Sequence, residues 1–236
     1  MNATHTIERL VVSLVLVALT ACAAGPPVRS TTEQVEDLVA CVERVRAESE
    51  QAKGKVHRAH ELIASLVSGG IQADTGGALA VFQQAVAESE AQGSVLHAAI
   101  RSLQLAGPPV FEQWSGDLLS ISNLQLRRRS QGRFDDTQLR YQAVLASGKA
   151  AARGHDNFNQ QARDIAIFLR HDLNADALTE IKSDVRSLGD FALELDGRID
   201  RCLVGAREYL ATASAHRAES RPTPTREPAV GATPAR

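Results

Sequence analysis

The sequence predicts an all-α protein, an elongated antiparallel coiled coil of four long helices in an up-down-up-down bundle. Three observations carry that expectation. The eight prolines stand at 26, 27, 108, 109, 222, 224, 228 and 234, leaving 28–107 and 110–221 free of them, as long helices require. The apolar residues within those stretches recur at steps of three and four. Hydrophobic residues make up 44% of the chain but aromatic residues only 4%, so the core is built from Ala, Leu, Val and Ile. Such a core suits helix-on-helix packing better than a sandwich of strands.

The elements follow in order. A first heptad seam runs Val35, Leu38, Val42, Val45, Ser49, Ala52, Val56, Ala59, Ile63, Leu66, and Ser68-Gly69-Gly70 ends it. A second runs Leu79, Phe82, Val86, Ser89, Gly93, Leu96, Ile100, Leu103. The same steps continue it through Val110, Trp114, Ile121 and Leu124. Because the register survives Gly107-Pro108-Pro109, one kinked helix is expected there, not two separate ones. The third seam is weaker: Phe134, Thr137, Tyr141, Val144, Gly148, Ala151, His155, Phe158, Ala162, Ile165, Leu169. The fourth is clean, from Leu178, Ile181, Val185 and Leu188 to Cys202, Ala206 and Tyr209. Turns are expected near 69–77, 123–131 and 171–175. Helices of about 37–45 residues would be roughly 55–65 Å long.

The amino terminus reads as an address. Arg9, the apolar run from Leu10 to Leu19 and the small residues before Cys22 have the order of a secretory signal, too short to span a bilayer permanently. Leu19-Thr20-Ala21-Cys22 resembles the lipobox of bacterial lipoproteins. That resemblance implies cleavage before Cys22 and acylation of Cys22, which would fix the chain to a lipid bilayer. The organisation that follows is a signal peptide over 1–21, a lipidated cysteine and tether over 22–32, a helical bundle over 33–215 and a proline-rich disordered tail over 216–236. Ala23 stands where many bacteria place an inner-membrane retention aspartate, so the outer membrane, periplasmic side, is expected. With the first helix starting at the lipid end, the second turn and the carboxyl terminus return to that end, and the first and third turns point away.

Phe111-Glu-Gln-Trp114, Ile121-Ser-Asn123, Leu126-Arg-Arg-Arg-Ser130, Arg140-Tyr141 and Phe168-Leu-Arg-His-Asp-Leu-Asn-Ala175 occur in an order that resembles an uncharacterised family of coiled-coil lipoproteins of Gram-negative bacteria. The family is known only as a domain of unknown function. The similarity runs from about Val35 to Leu210. Arg170 and Asp172 replace the lysine and asparagine usual in the last segment, and Gly107-Pro108-Pro109 departs from the family's uninterrupted helix. The resemblance implies architecture and location and supplies no reaction.

Candidate chemistry is sparse. His57, His60 and Glu61 form His-x-x-His-Glu, which lacks the i,i+4 histidines with an intervening glutamate of metalloprotease helices; a solvated helical face is expected, and no metal. His155 falls on a core position of the third seam, where a hydrogen-bonded or partly exposed histidine is expected, with no recognisable Ser or Cys nucleophile beside it. Asp135-Asp136 and Asp196 with Asp200 read as ordinary helix-surface charges. The glycines at 69, 70, 76 and 77 punctuate a turn and form no phosphate loop. No catalytic residue, cofactor or metal is assigned. The formal net charge of −2 gives no global pull toward nucleic acid.

Three places are candidate sites. Arg127, Arg128 and Arg129 fall at the second turn, where phosphate headgroups would lie if the turn meets a membrane; helix-end charge compensation is the alternative. Arg170, His171 and Asn174 lie at the distal tip. There Asn174 or Asp172 is a natural N-cap of the fourth helix, Arg170 and His171 suit the carboxyl-terminal dipole of the third, and a partner could dock. Cys41 and Cys202 form an even pair once Cys22 is lipidated, and helix counting puts them at similar heights, so a disulfide is expected. The function that fits best is a lipid-tethered structural or protein-interaction rod whose partner is another envelope component. The alternative is a membrane-surface or cell-wall organiser using Arg127 to Arg129 and the tail. An enzyme fits least, because a narrow core of small residues offers no convergent polar pocket.

Overall fold

The structure is a computed structural model and describes residues 30–219; the candidate lipidation site Cys22, the signal segment and the tail from 220 lie outside the described residues. Four long helices account for nearly all of it: α1 (Thr31–Gly69), α2 (Thr75–Ser120), α3 (Leu124–His171) and α5 (Lys182–Glu219), with a short α4 (Ala175–Glu180) leading into the last. At 39, 46, 48 and 38 residues the long helices span roughly 57–72 Å. They pack antiparallel in the cyclic order α1, α2, α3, α5, with α1 and α3 also meeting across the diagonal. Among the described residues there is no strand. The expected all-α fold of four long antiparallel helices is therefore the observed one. We call the end holding residue 30 and the 121–123 turn basal, and the other end distal.

Local chemistry explains where each helix begins and ends. Ser30 and Glu33 form a reciprocal capping box at the start of α1, with Ser30 Oγ accepting from the Glu33 N–H and Glu33 Oε2 accepting from the Ser30 N–H at 2.8 Å. Gly70 closes α1 at φ +67°, on the side of backbone space that glycine occupies without a Cβ penalty. Asn123 Oδ1 accepts from the Gln125 and Leu126 N–H groups to start α3. Asn174 Oδ1 accepts from the Ala177 N–H to start α4, and Arg170 and His171 occupy the last turn of α3. Both tip roles expected from the sequence are thus present. α5 continues to Glu219, four residues past the expected boundary of the bundle.

Pro108 and Pro109 sit inside one continuous α2, and the reason is visible. A proline at 108 has no N–H to give to the Gln104 carbonyl. Tyr141 of α3 supplies a donor instead, its hydroxyl lying 3.3 Å from the Leu103 oxygen and 3.5 Å from the Gln104 oxygen. Gly107 makes room for that ring: a Cβ there would stand 2.3 Å from Tyr141 Cζ. Both prolines face outward, so the helix passes through them.

The seam positions are buried along most of the rod, including every fourth-seam residue from Leu178 to Tyr209. The core divides into a distal cluster around Phe82, Phe158 and Leu188 and a basal one around Leu103, Val144 and Tyr209. Exceptions gather at one end. Val35 is 38% exposed, Leu124 is 55% exposed, and Trp114, Ile121, Phe134 and Thr137 are only half-buried. All six belong to the basal third.

One expectation is overturned. Cys41 and Cys202 are free thiols. The α1–α5 pairing places Cys202 Sγ 3.9 Å from Ser49 Oγ, and Lys53 beside Asp200 and Asp196. Ser49 lies eight residues past Cys41, about 12 Å along the helix. That offset is about twice the Cα separation of roughly 4.4–6.8 Å that a disulfide spans. Counting residues from two helix ends left an error of two turns, enough to lose the bond.

Candidate functional site: the basal cavity and its turn

Four of the basal exceptions, Val35, Trp114, Ile121 and Thr137, line a cavity of about 610 Å³. Its apolar wall comes from three of the long helices and one turn: Val35 and Val39, Val110, Trp114 and Leu118, Ile121, then Tyr209, Leu210 and Ala213; α3 adds the polar Ser130, Thr137 and Arg140. It exists because the helices end at different heights. Gln92 bonds Glu48, and Lys55 pairs with Glu88, across α1 and α2. Extending that pairing sets Thr31 level with about residue 110, so the α2–α3 hairpin runs on for roughly ten residues, or ~15 Å, past the start of α1. The hairpin's inner face there has only part of α1 and α5 to pack against.

Aromatic contacts hold the overhang together. Phe111 meets Phe134 edge-on at 5.9 Å and Tyr141 at 5.2 Å, and Trp114 meets Phe134 edge-on at 5.6 Å. The Trp114 indole N–H donates to Ser130 Oγ at 3.2 Å. Two polar atoms in the cavity wall are shut off from water without a hydrogen-bond partner among the described residues: Arg140 Nε and Thr137 Oγ1. Thr137 forgoes even the bond to the carbonyl one turn back that helical threonines commonly make. Burial pushes the Tyr209 phenol up to about 12, with Tyr141 adding to the effect, so it stays protonated. Glu36, Glu43 and Asp117 border the cavity from exposed positions, so its mouth is acidic.

The three basic residues of the adjoining turn do different things. Arg127 is half-buried and donates through Nε and Nη2 to the Ile121 carbonyl, at 2.8 and 2.6 Å, closing the turn. Arg128 and Arg129 are exposed. Around them stand exposed leucines that the sequence reading did not single out: Leu119 at 80%, Leu124, and Leu126 at 53%. Heptad spacing hides them, since Leu124 continues the second seam and Leu119 and Leu126 lie on no seam; the signal that marks them is the apolar character of 118–126.

The other candidates resolve into packing. His57 Nε2 lies 2.9 Å from Asp196 Oδ2, and His60 lies against Gly189, where a Cβ would meet its Nε2 at 2.8 Å. Both are therefore taken up by α5. No group of three or more His, Cys, Asp or Glu among the described residues is arranged to hold a metal ion. At the distal tip Asn174 is spent on its cap and bonds Asp172, while Arg170 and His171 are exposed.

His155 has a partner that spacing did not reveal. It is wholly buried in mid-bundle with Ser89 and Asn159. Asn159 Nδ2 donates to His155 Nδ1 at 3.0 Å, which leaves the proton on Nε2, and Nε2 donates to Ser89 Oγ at 3.3 Å. Ser89 Oγ donates in turn to Asn159 Oδ1 at 2.7 Å. The ring of three bonds is closed, so every member is satisfied. The serine proton points at the amide and not at the imidazole, the reverse of what nucleophile activation needs. Burial lowers the histidine to about 4, outweighing Asp156, so it is neutral at physiological pH.

Among the described residues no helix is long and apolar enough to cross a membrane. No curated protein matches the chain. A family model described as "Protein of unknown function (DUF2959)" matches residues 30–212, from the capping serine of α1 almost to the end of the basal cavity wall on α5. The chain belongs to that family of unknown function, DUF2959.

Proposed function

We propose that the protein is a lipid-anchored rod of the cell envelope that works by interaction and not by catalysis, with its basal turn seated on the bilayer surface. The observation that carries the reading is the turn itself. Leu119, Leu124 and Leu126 present apolar side chains next to Arg128 and Arg129 at the end where residue 30 enters the bundle. Apolar groups entering the headgroup boundary, flanked by arginines that reach lipid phosphates, is how a protein lies on a membrane without crossing it. The lipobox-like Leu19-Thr20-Ala21-Cys22 supports the same end, since only the short stretch 23–29 separates Cys22 from the described residues. The outer membrane, periplasmic side, fits Ala23. The alternative of a surface organiser is thereby favoured over docking through the distal tip, where Asn174 is taken up by its cap.

Vesicle flotation tests it. The full chain carrying Cys22→Ala, which has no acylation site at the lipobox, is expected to retain weak, salt-sensitive binding to anionic vesicles. Leu124→Glu with Leu126→Glu is expected to abolish it. Equal flotation of both proteins would remove the turn from the membrane. Uptake of a labelled fatty acid by the wild-type chain, absent in Cys22→Ala, tests the anchor separately.

A further inference from the structure

We propose that the basal cavity is a binding site for one single-chain phospholipid with an amine-bearing head. Its phosphate would be held by Arg140 and Thr137 and its acyl chain by the wall around Trp114. The proposal rests on the membrane reading only for the source of the ligand.

The cavity is unfinished in a particular way. Arg140 makes no hydrogen bond or ion pair among the described residues, and its Nε is cut off from water in the cavity wall, as is Thr137 Oγ1. An unpaired guanidinium nitrogen and a lone hydroxyl lose free energy for as long as no acceptor reaches them. Folding alone would favour an apolar side chain at 140. Both atoms are covered in the cavity as it stands, so an oxyanion reaches them only as the surrounding wall side chains shift; once there it satisfies both donors, and a guanidinium matches the geometry of phosphate oxygens.

The rest of the ligand follows from the walls. About 610 Å³ lies within the range of a single small-molecule pocket and leaves room for one acyl chain, not two. Val35, Val110, Trp114, Leu118, Ile121 and Leu210 give that chain an apolar lining. Glu43 and Asp117 border the mouth from exposed positions, where they disfavour a purely anionic head and favour one that carries an amine beyond its phosphate. The cavity lies beside the turn with the exposed leucines, where such a lipid would be at hand.

Trp114 is the chain's only tryptophan, which makes the site directly readable. The full chain carrying Cys22→Ala is titrated with lysophosphatidylethanolamine brominated on its acyl chain, below the concentration at which that lipid aggregates. Saturable 1:1 quenching of Trp114 is expected. Arg140→Met should weaken it at least tenfold, Thr137→Val severalfold, and neither should change quenching by a brominated alcohol of equal chain length. Unliganded Arg140→Met should melt no lower than the parent, because a side chain kept for a ligand is not kept for the fold. Absent or non-saturable quenching overturns the site. Equal affinity in the parent and in Thr137→Val overturns the role of the two donors, whether or not Arg140→Met folds. Brominated stearate binding more tightly than the lysophospholipid overturns the head assignment. Leu124→Glu with Leu126→Glu separates this site from the membrane reading. The double variant should lose vesicle binding and keep the quenching, whereas retained vesicle binding would defeat the turn and leave the cavity to its own titration.

Discussion

Gly107, Pro108 and Tyr141 act as one unit, and none of the three explains itself alone. The proline removes a donor from the helix ladder, the tyrosine hydroxyl restores one at the Leu103 and Gln104 oxygens, and the glycine admits the ring. Gly107→Ala should therefore destabilise the bundle by about 2 kcal/mol or more, because helix propensity favours alanine but the ring must move. Tyr141→Phe should cost about 1 kcal/mol through the lost donor. Chemical denaturation of the two variants checks both; a stabilised Gly107→Ala would contradict the account. His155 gives a second test with a definite sign. Its folded value of about 4 lies below the ordinary 6.5, so the unfolded chain takes up a proton that the folded one refuses. Stability is fully present above about pH 6.5 and lost as pH falls toward 4, by about 3 kcal/mol from this group. His155→Gln should show that much less acid sensitivity over the same window than wild type. The cysteines give a third. Because Cys202 faces Ser49 and not Cys41, thiol labelling of the oxidised, denatured chain should count Cys41 and Cys202 both as free, and a single internal disulfide would mean the α1–α5 register is wrong.

The helices were legible in the sequence, and the turns nearly so. A three-four apolar step over ten or more positions leaves little freedom, and Ser68-Gly69-Gly70 and Asn174 mark ends by backbone chemistry that acts within a few residues. What could not be read is whatever depends on how one helix is set against another. Ser89 and His155 both lay on seams, yet nothing along the chain says that they face each other. The height of Cys41 relative to Cys202 depends on where helices actually start, and two turns of error removed the disulfide. The ion pairs that hold the register, Lys53 with Asp200, Lys55 with Glu88 and Arg163 with Glu90, lie on exposed faces. Such pairs add little stability but fit only one alignment. The candidate site was half legible. Arg127 to Arg129 stood out as a cluster, whereas the cavity comes from unequal helix lengths, a property of the pairing and not of any segment. Places where the seam pattern continues but burial fails, at Val35, Trp114 and Leu124, are where local rule and fold disagree, and such places are where function is to be sought.

At the scale of the whole molecule the asymmetry between the two ends matters most. The distal end is capped, with Gly70 and the last-turn Arg170 and His171 placed where helices end and Asn174 where one begins. The basal end is open, with a cavity, two donors unpaired among the described residues and a turn of exposed leucines flanked by arginines. A rod finished at one end and open at the other has a direction. If the open end is the membrane end, its exposed leucines and the cavity beside them have one explanation. The most direct measurement is the depth of single spin labels at positions 124 and 71 in full-length protein bound to vesicles, read from their accessibility to oxygen and to a water-soluble nickel chelate. These positions lie at opposite ends of helices roughly 57–72 Å long. The account predicts that the label at 124 meets oxygen within the bilayer and is shielded from the chelate, while the label at 71 stays fully accessible to the chelate in water. A label at 71 in the bilayer, or labels at both positions in water while the protein remains bound, would contradict it.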